Sequence, residues 1–187
     1  MTSRLLAVLV LGFAPLVARG DDDNPYKNVK EGDFATYKMK IKVGPLELEG
    51  TTTQTIVAKT ATEATVRITA NVNGMEAPAQ EQKIDLTKPY DPTKVGGGLP
   101  AGAEASVEKG KDGKEKLKLG GKEYDATWTV YKVKAKANGV EIEGEAKTWT
   151  AKNVPMGLLK MESTMTVMKM EMKMTMELTE SGNNKKN

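Results

Sequence analysis

From Met168 to Leu178 every even position is apolar: Met168, Met170, Met172, Met174, Met176 and Leu178. The positions between them are Lys169, Glu171, Lys173, Thr175 and Glu177. A repeat of two belongs to a β-strand with one greasy and one wet face, whereas a helix would scatter these methionines round its axis. Kept up over this length, the alternation defines a strand of about 36 Å. Methionine is unbranched and polarisable, so such a row either lines an adaptable apolar surface or fills a dry core.

The same alternation recurs upstream. Ala35, Tyr37, Met39, Ile41 and Val43 alternate with polar residues, Gly44-Pro45 turns the chain, and Leu46 and Leu48 follow. Ala64, Val66, Ile68, Ala70 and Val72 form a third strand that ends in Asn73-Gly74, a strong hairpin signal. The returning strand carries Pro78, which points to an edge or a bulge. Further turns are expected at Asp112-Gly113 and Asn138-Gly139. Between these turns Tyr124, Ala126, Trp128 and Val130 share one parity, and Tyr131, Val133 and Ala135 the other. A bulge near Val130 would account for that swap. The fold class is therefore all-β: a strongly curved antiparallel sheet or half-barrel of about ten strands.

Residues 1–20 read as an export leader: Arg4, an apolar run from Leu5 to Val17, and Ala18-Arg19-Gly20 as a cleavage site. The run is short for a bilayer span and contains Pro15, so no stable transmembrane segment is expected after cleavage. An uncleaved anchor helix is the alternative. Residues 21–30 read as a flexible start, 31–179 as one β domain, and 180–187 as a disordered tail. A Gly/Pro-rich stretch at 88–103 separates halves at 31–87 and 104–179. Those halves echo each other. Residues 37–50 align without a gap on 131–144, with Tyr37 on Tyr131 and Gly50 on Gly144. Duplication and convergence of Lys/Glu-rich hairpins both explain this.

The chain has no histidine and no cysteine. Imidazole bases, thiolate nucleophiles, zinc ribbons and iron–sulfur ligation are thereby excluded. No serine sits in a nucleophile elbow, and no acidic calcium loop occurs. Removing the two leader arginines from the 28 basic residues leaves 26 against 25 acidic ones. Lysine interleaved with glutamate is the solvated face of sheets and argues against nucleic acid.

The stretch Trp149-Thr-Ala-Lys-Asn-Val-Pro-Met-Gly-Leu-Leu-Lys-Met161 resembles a segment of uncharacterised exported bacterial proteins. In these a tryptophan ends one strand and a Pro-Gly turn feeds the next. More distantly the chain is similar to lipoprotein carriers of the LolA and LppX type, whose curved sheet cups lipid chains. Those carriers plug the cup with helices, and this sequence shows none.

The expectation is a non-enzymatic, exported (periplasmic or secreted) binding or envelope protein without a cofactor. Its apolar face would comprise Met168, Met170, Met172, Met174, Met176 and Leu178 with Trp128 and Trp149, facing a lipid or other apolar ligand. A structural or protein-interaction domain is the alternative, and Cu(I) held by the methionine thioethers is the third reading. Oligomeric state is left open.

Overall fold

A computed structural model describes residues 24–88, 104–137, 140–167 and 170–185. After a 3-10 turn (Pro25–Asn28) the described residues form nine strands: β1 (Asp33–Val43), β2 (Leu46–Lys59), β3 (Glu63–Val72), β4 (Met75–Asp85), β5 (Glu104–Leu119), β6 (Lys122–Ala137), β7 (Val140–Thr150), β8 (Leu158–Val167) and β9 (Met170–Asn183). All nine belong to one sheet in the order β4-β3-β2-β1-β9-β8-β7-β6-β5. Every neighbouring pair is antiparallel. Two meanders, β1–β4 and β5–β9, are joined by the β1–β9 ladder. Eight antiparallel steps separate the edges, so β4 and β5 point the same way.

The alternations become faces. Ala35, Tyr37, Met39 and Ile41 of β1 are buried, as are Met161 and Met165 of β8 and Met172, Met174 and Met176 of β9. Cross-strand partners share a face, so these residues form one apolar inner side. Strand direction also sorts the ends of the sheet. Strands β1, β3, β6 and β8 all finish at one end. The other end holds the 3-10 turn, the β5–β6 turn and the loop from β7 to β8.

That second end is plugged. Tyr26 and Val29 are buried in the core cluster. Asn24 Nδ2 donates to the carbonyls of Asp85 (3.2 Å) and Lys88 (3.3 Å), and Lys59 Nζ donates to the carbonyls of Lys27 and Val29. The start of the chain, expected to be flexible over 21–30, is thus tied down from Asn24 onward. The tail expected to be disordered from 180 also departs from that reading. β9 continues to Asn183, whose Nδ2 donates to the Glu31 carbonyl and the Asp33 carboxylate. In both segments polar side chains capture backbone groups, a signal that apolar periodicity does not carry.

The Asn73-Gly74 hairpin forms as expected, with positive φ at both residues (50° and 81°) and Val72 paired with Met75. The Asp112-Gly113 hairpin does not form. β5 runs straight through it and turns at Gly120-Gly121, both at positive φ (55° and 79°). Gly113 serves a different need: a Cβ built there would lie 2.7 Å from the Trp128 ring, which covers it. The irregularity expected near Val130 sits on the partner strand, where Gly110 and Lys111 both face Val130. β6 itself alternates without a break. Its buried residues change parity because its two halves bury opposite faces.

The echo between residues 37–50 and 131–144 has a register counterpart. Tyr37, Thr52 and Ala70 line up across β1–β3 as Tyr131, Ala146 and Ser163 do across β6–β8. Two positions on, Met39-Gly50-Val72 matches Val133-Gly144-Met165. Both glycines admit the next strand at close range. A Cβ built at either would lie 2.2 Å from a backbone carbonyl, that of Asn71 for Gly50 and that of Thr164 for Gly144.

Gly50→Ala and Gly144→Ala should each destabilise the fold by about 2–3 kcal/mol in denaturant unfolding. Thr51→Ala, exposed on the same strand as Gly50, should stay within about 0.5 kcal/mol. At the plugged end the Asp85 carboxylate accepts from the Thr87 hydroxyl (2.5 Å) and N–H (2.9 Å) and pairs with Lys88 (3.0 Å). The Thr87 hydroxyl bond, then its N–H bond, then Lys88 lower its pKa from 3.8 to about 2. A lowered carboxylate pKa stabilises the fold above its unfolded value and ceases to do so as pH falls through the folded one. Acid unfolding curves should therefore show a loss of stability from about pH 4 down to pH 2 that Asp85→Asn removes.

Candidate functional site

The inner face carries a thioether grid. By register Met39, Met176 and Met161 stand side by side across β1, β9 and β8. The next inward row is Ile41, Met174 and Ser163, and the row beyond is Val43, Met172 and Met165. Met172, Met174, Met176 and Leu178 are exposed by only 3, 2, 1 and 4%. These members of the expected row therefore belong to the core. Met170 is 55% exposed at the start of β9, and Met168 lies outside the described residues.

Toward the plug, Tyr37 pairs with Leu178, and its hydroxyl donates to the Leu158 carbonyl at 3.4 Å. Burial, with a smaller contribution from nearby Tyr26, pushes the Tyr37 phenol far above its usual range, so it is a neutral donor at any ordinary pH. Among the described residues, Ser163 Oγ and Gln54 Oε1 are buried on the inner face without a hydrogen-bond partner. Ser163 lies amid the grid, opposite Met174. A buried polar group left unsatisfied costs about 1–3 kcal/mol.

Trp128 and Trp149 do not line this face. They pair with each other across β6 and β7, and Trp149 pairs with Lys160, which pairs with Glu177. Glu177 alternates with the buried Met176 and Leu178, so both indoles stand on the outer side. There Lys147 Nζ lies 4.6 Å from the Trp128 ring centre and 4.3 Å from that of Trp149. Lys160 approaches Trp149 at 5.4 Å, and the Trp149 indole N–H donates to Glu115. Burial pulls the Lys160 pKa down, but Glu162 and Glu177 at 2.9 and 3.1 Å outweigh it and raise the pKa overall.

The far half of the β5–β6 hairpin folds across this side. β5 touches β9, and a Cβ built at Gly120 would lie 3.7 Å from the Thr179 carbonyl. Tyr124 and Ala126 are buried as a result. The expected grouping of both tryptophans with the methionines fails because the hairpin supplies a second packing layer. No alternation within a single strand reveals such a layer.

Three open clefts of about 370, 610 and 660 Å³ have walls of mixed polarity, and none of the three touches a residue of the methionine row. Among the described residues no group of three or more Asp and Glu side chains could hold a metal ion. Also among them, no helix is long and apolar enough to cross a membrane.

The Val-Pro-Met-Gly stretch builds the loop that closes the plugged end. The Gly157 N–H donates to the Val154 carbonyl (2.9 Å) around Pro155 and Met156. Met156 adopts φ 55°, a left-handed conformation that costs a non-glycine residue about 1 kcal/mol or more. Its side chain is only 2% exposed, and Val154 is buried beside it in the core cluster. Leu46 and Met75 did not stand among the candidate residues. Both continue the inner parity of their strands beyond the covered region and are 42 and 72% exposed. Their only signal was an apolar residue immediately after a two-residue turn.

No known protein family matches the chain, and no curated protein does. Two solved structures are similar to the chain, and the first of them shares its fold. One is a lipoprotein candidate from Parabacteroides distasonis ATCC 8503, with 10% identity and a TM-score of 0.50 over 82% of this chain and 96% of that one. The other is an exported-protein candidate with a YmcC-like fold from Bacteroides fragilis NCTC 9343, with 9% identity and a TM-score of 0.48 over 82% and 97%.

If the row is core where it is covered, Met176→Ala should cost about 2–4 kcal/mol in denaturant unfolding. Met170→Ala should cost less than about 0.5 kcal/mol. Equal losses at the two positions would contradict the placement.

Proposed function

We propose that this is a non-enzymatic extracytoplasmic binding protein that takes an apolar, lipid-like molecule against the methionine-lined inner face. The observation that carries the reading is Ser163 Oγ, an unsatisfied hydroxyl buried in the middle of the thioether grid. In a finished core such a group is a pure cost. In a binding face it awaits the polar atom of a guest. The methionines supply the second requirement, since unbranched side chains repack round a guest at small cost. Export rests on the leader-like residues 1–20, and the fold neighbours carry descriptions in the same terms.

A structural domain with a dry interior is the second reading. It is favoured by the 1–4% exposure of Met172 to Leu178 along the row and by clefts that do not reach them.

One substitution separates the two. Ser163→Ala should raise stability by about 1 kcal/mol under either reading, because it removes an unpaired group. Under the binding reading it also weakens uptake of a fluorescent fatty acid by several-fold. Folded wild-type protein that leaves the probe dark and yields no extractable lipid would end the binding reading in favour of the structural one.

A further inference from the structure

We propose that the unplugged end of the sheet is a docking rim for a lipid bilayer. The large hydrophobic residues that stand exposed among the described residues are Leu46, Met75 and Met170, and all three occupy this one end. Each is the first residue of its strand. Leu46 pairs with Val43, Met75 with Val72 and Met170 with Val167. The hairpins are consecutive in the sheet, β8–β9, then β1–β2, then β3–β4. Neighbouring tips are therefore about 10 Å apart. The opposite end differs: its apolar residues Tyr26, Val29, Leu86, Val154 and Met156 are all buried.

The choice of a bilayer follows from what surrounds the tips. They are separate prongs, not a continuous patch, and a fluid apolar phase fills the gaps between prongs as a rigid protein surface does not. One to three residues below the tips, on the outer face of β1, β2 and β9, lie pairs of opposed charges. Lys42 faces Glu47 by register, Lys40 meets Glu49 at 2.5 Å, and Lys173 meets Glu171 at 3.0 Å. Apolar tips above an amphoteric belt repeat the polarity of a zwitterionic headgroup layer lying over hydrocarbon. All three side chains also continue the inner parity of their strands, so docking would set the mouth of the cup against the membrane. The inference stands whether or not a guest occupies the interior.

The test uses the chain from Asp21 onward, which retains every described element of the fold, with electroneutral phosphatidylcholine vesicles. The protein should float with the vesicles, and the bound fraction should persist in 0.5 M salt, about the condition in which surface charge attraction is screened. Leu46→Ser, Met75→Ser and Met170→Ser combined should lower vesicle affinity about tenfold or more without altering the unfolding midpoint greatly. Because the chain has no cysteine, a single Met75→Cys bearing an environment-sensitive dye reports insertion even if the triple variant misfolds. Its emission should shift to the blue on vesicle addition, while the same dye at Thr62→Cys, on the plugged end, should not respond. Failure to float, flotation abolished by salt, or equal response at both labels would overturn the proposal. So would self-association through the rim in the absence of vesicle binding, which would make a second copy the occupant.

Discussion

The β1–β9 ladder is the contact on which the molecule depends. It joins residues nearly the whole described chain apart, from Asp33 with Asn183 to Val43 with Met172, and turns two local meanders into one sheet. Without it, each meander would expose one face of alternating Met, Val, Tyr and Ile to water. With it, Met39 meets Met176, which meets Met161 on the other side, and the apolar rows become a common interior. The ladder also fixes the polarity of the cup. It places β9's end against the Glu31–Asp33 segment beside the N-terminal plug, and its beginning at the open rim.

Much of this was legible in the chain. Period two over β1, β3 and β9 gave strand type and inner face, because a one-residue slip would turn every methionine to water. Asn73-Gly74 turned as written, and Pro78 fell on an edge strand beside a bulge. Asp112-Gly113 misled because a glycine has two uses. It can supply positive φ in a turn, or it can leave room for a neighbouring ring, and Trp128 claims that room. The tryptophans could not be placed from parity alone, since β6 buries one face in its first half and the other in its second. Asn24, Asp85 and Asn183 act by hydrogen-bonding distant backbone, so the ordered ends they create had no local signature. The unpaired Ser163 and the clustering of exposed tips at one end are products of register, which becomes visible only when strands are laid side by side.

The two free edges are defended differently against adventitious pairing. β4 carries Pro78 and an irregularity between its pairs with Ile68 and Ala70, which interrupts its outer ladder. β5 presents Lys109, Lys111, Lys114, Lys116 and Lys118 over its length, and an incoming strand would have to desolvate them. Interaction through sheet extension is therefore disfavoured on both sides, and recognition is left to the faces and the rims.

The direction of those two edges has a consequence of its own. Antiparallel order round a closed ring demands an even number of strands, and the described residues supply nine. Bringing β4 to β5 would align them head to head, so the hydrogen-bond pattern that joins every other pair cannot zip the seam. Closure at this seam would need a parallel ladder, which no other pair in the sheet uses. A displacement of β4 relative to β5 would therefore break no interstrand ladder, since none joins the two.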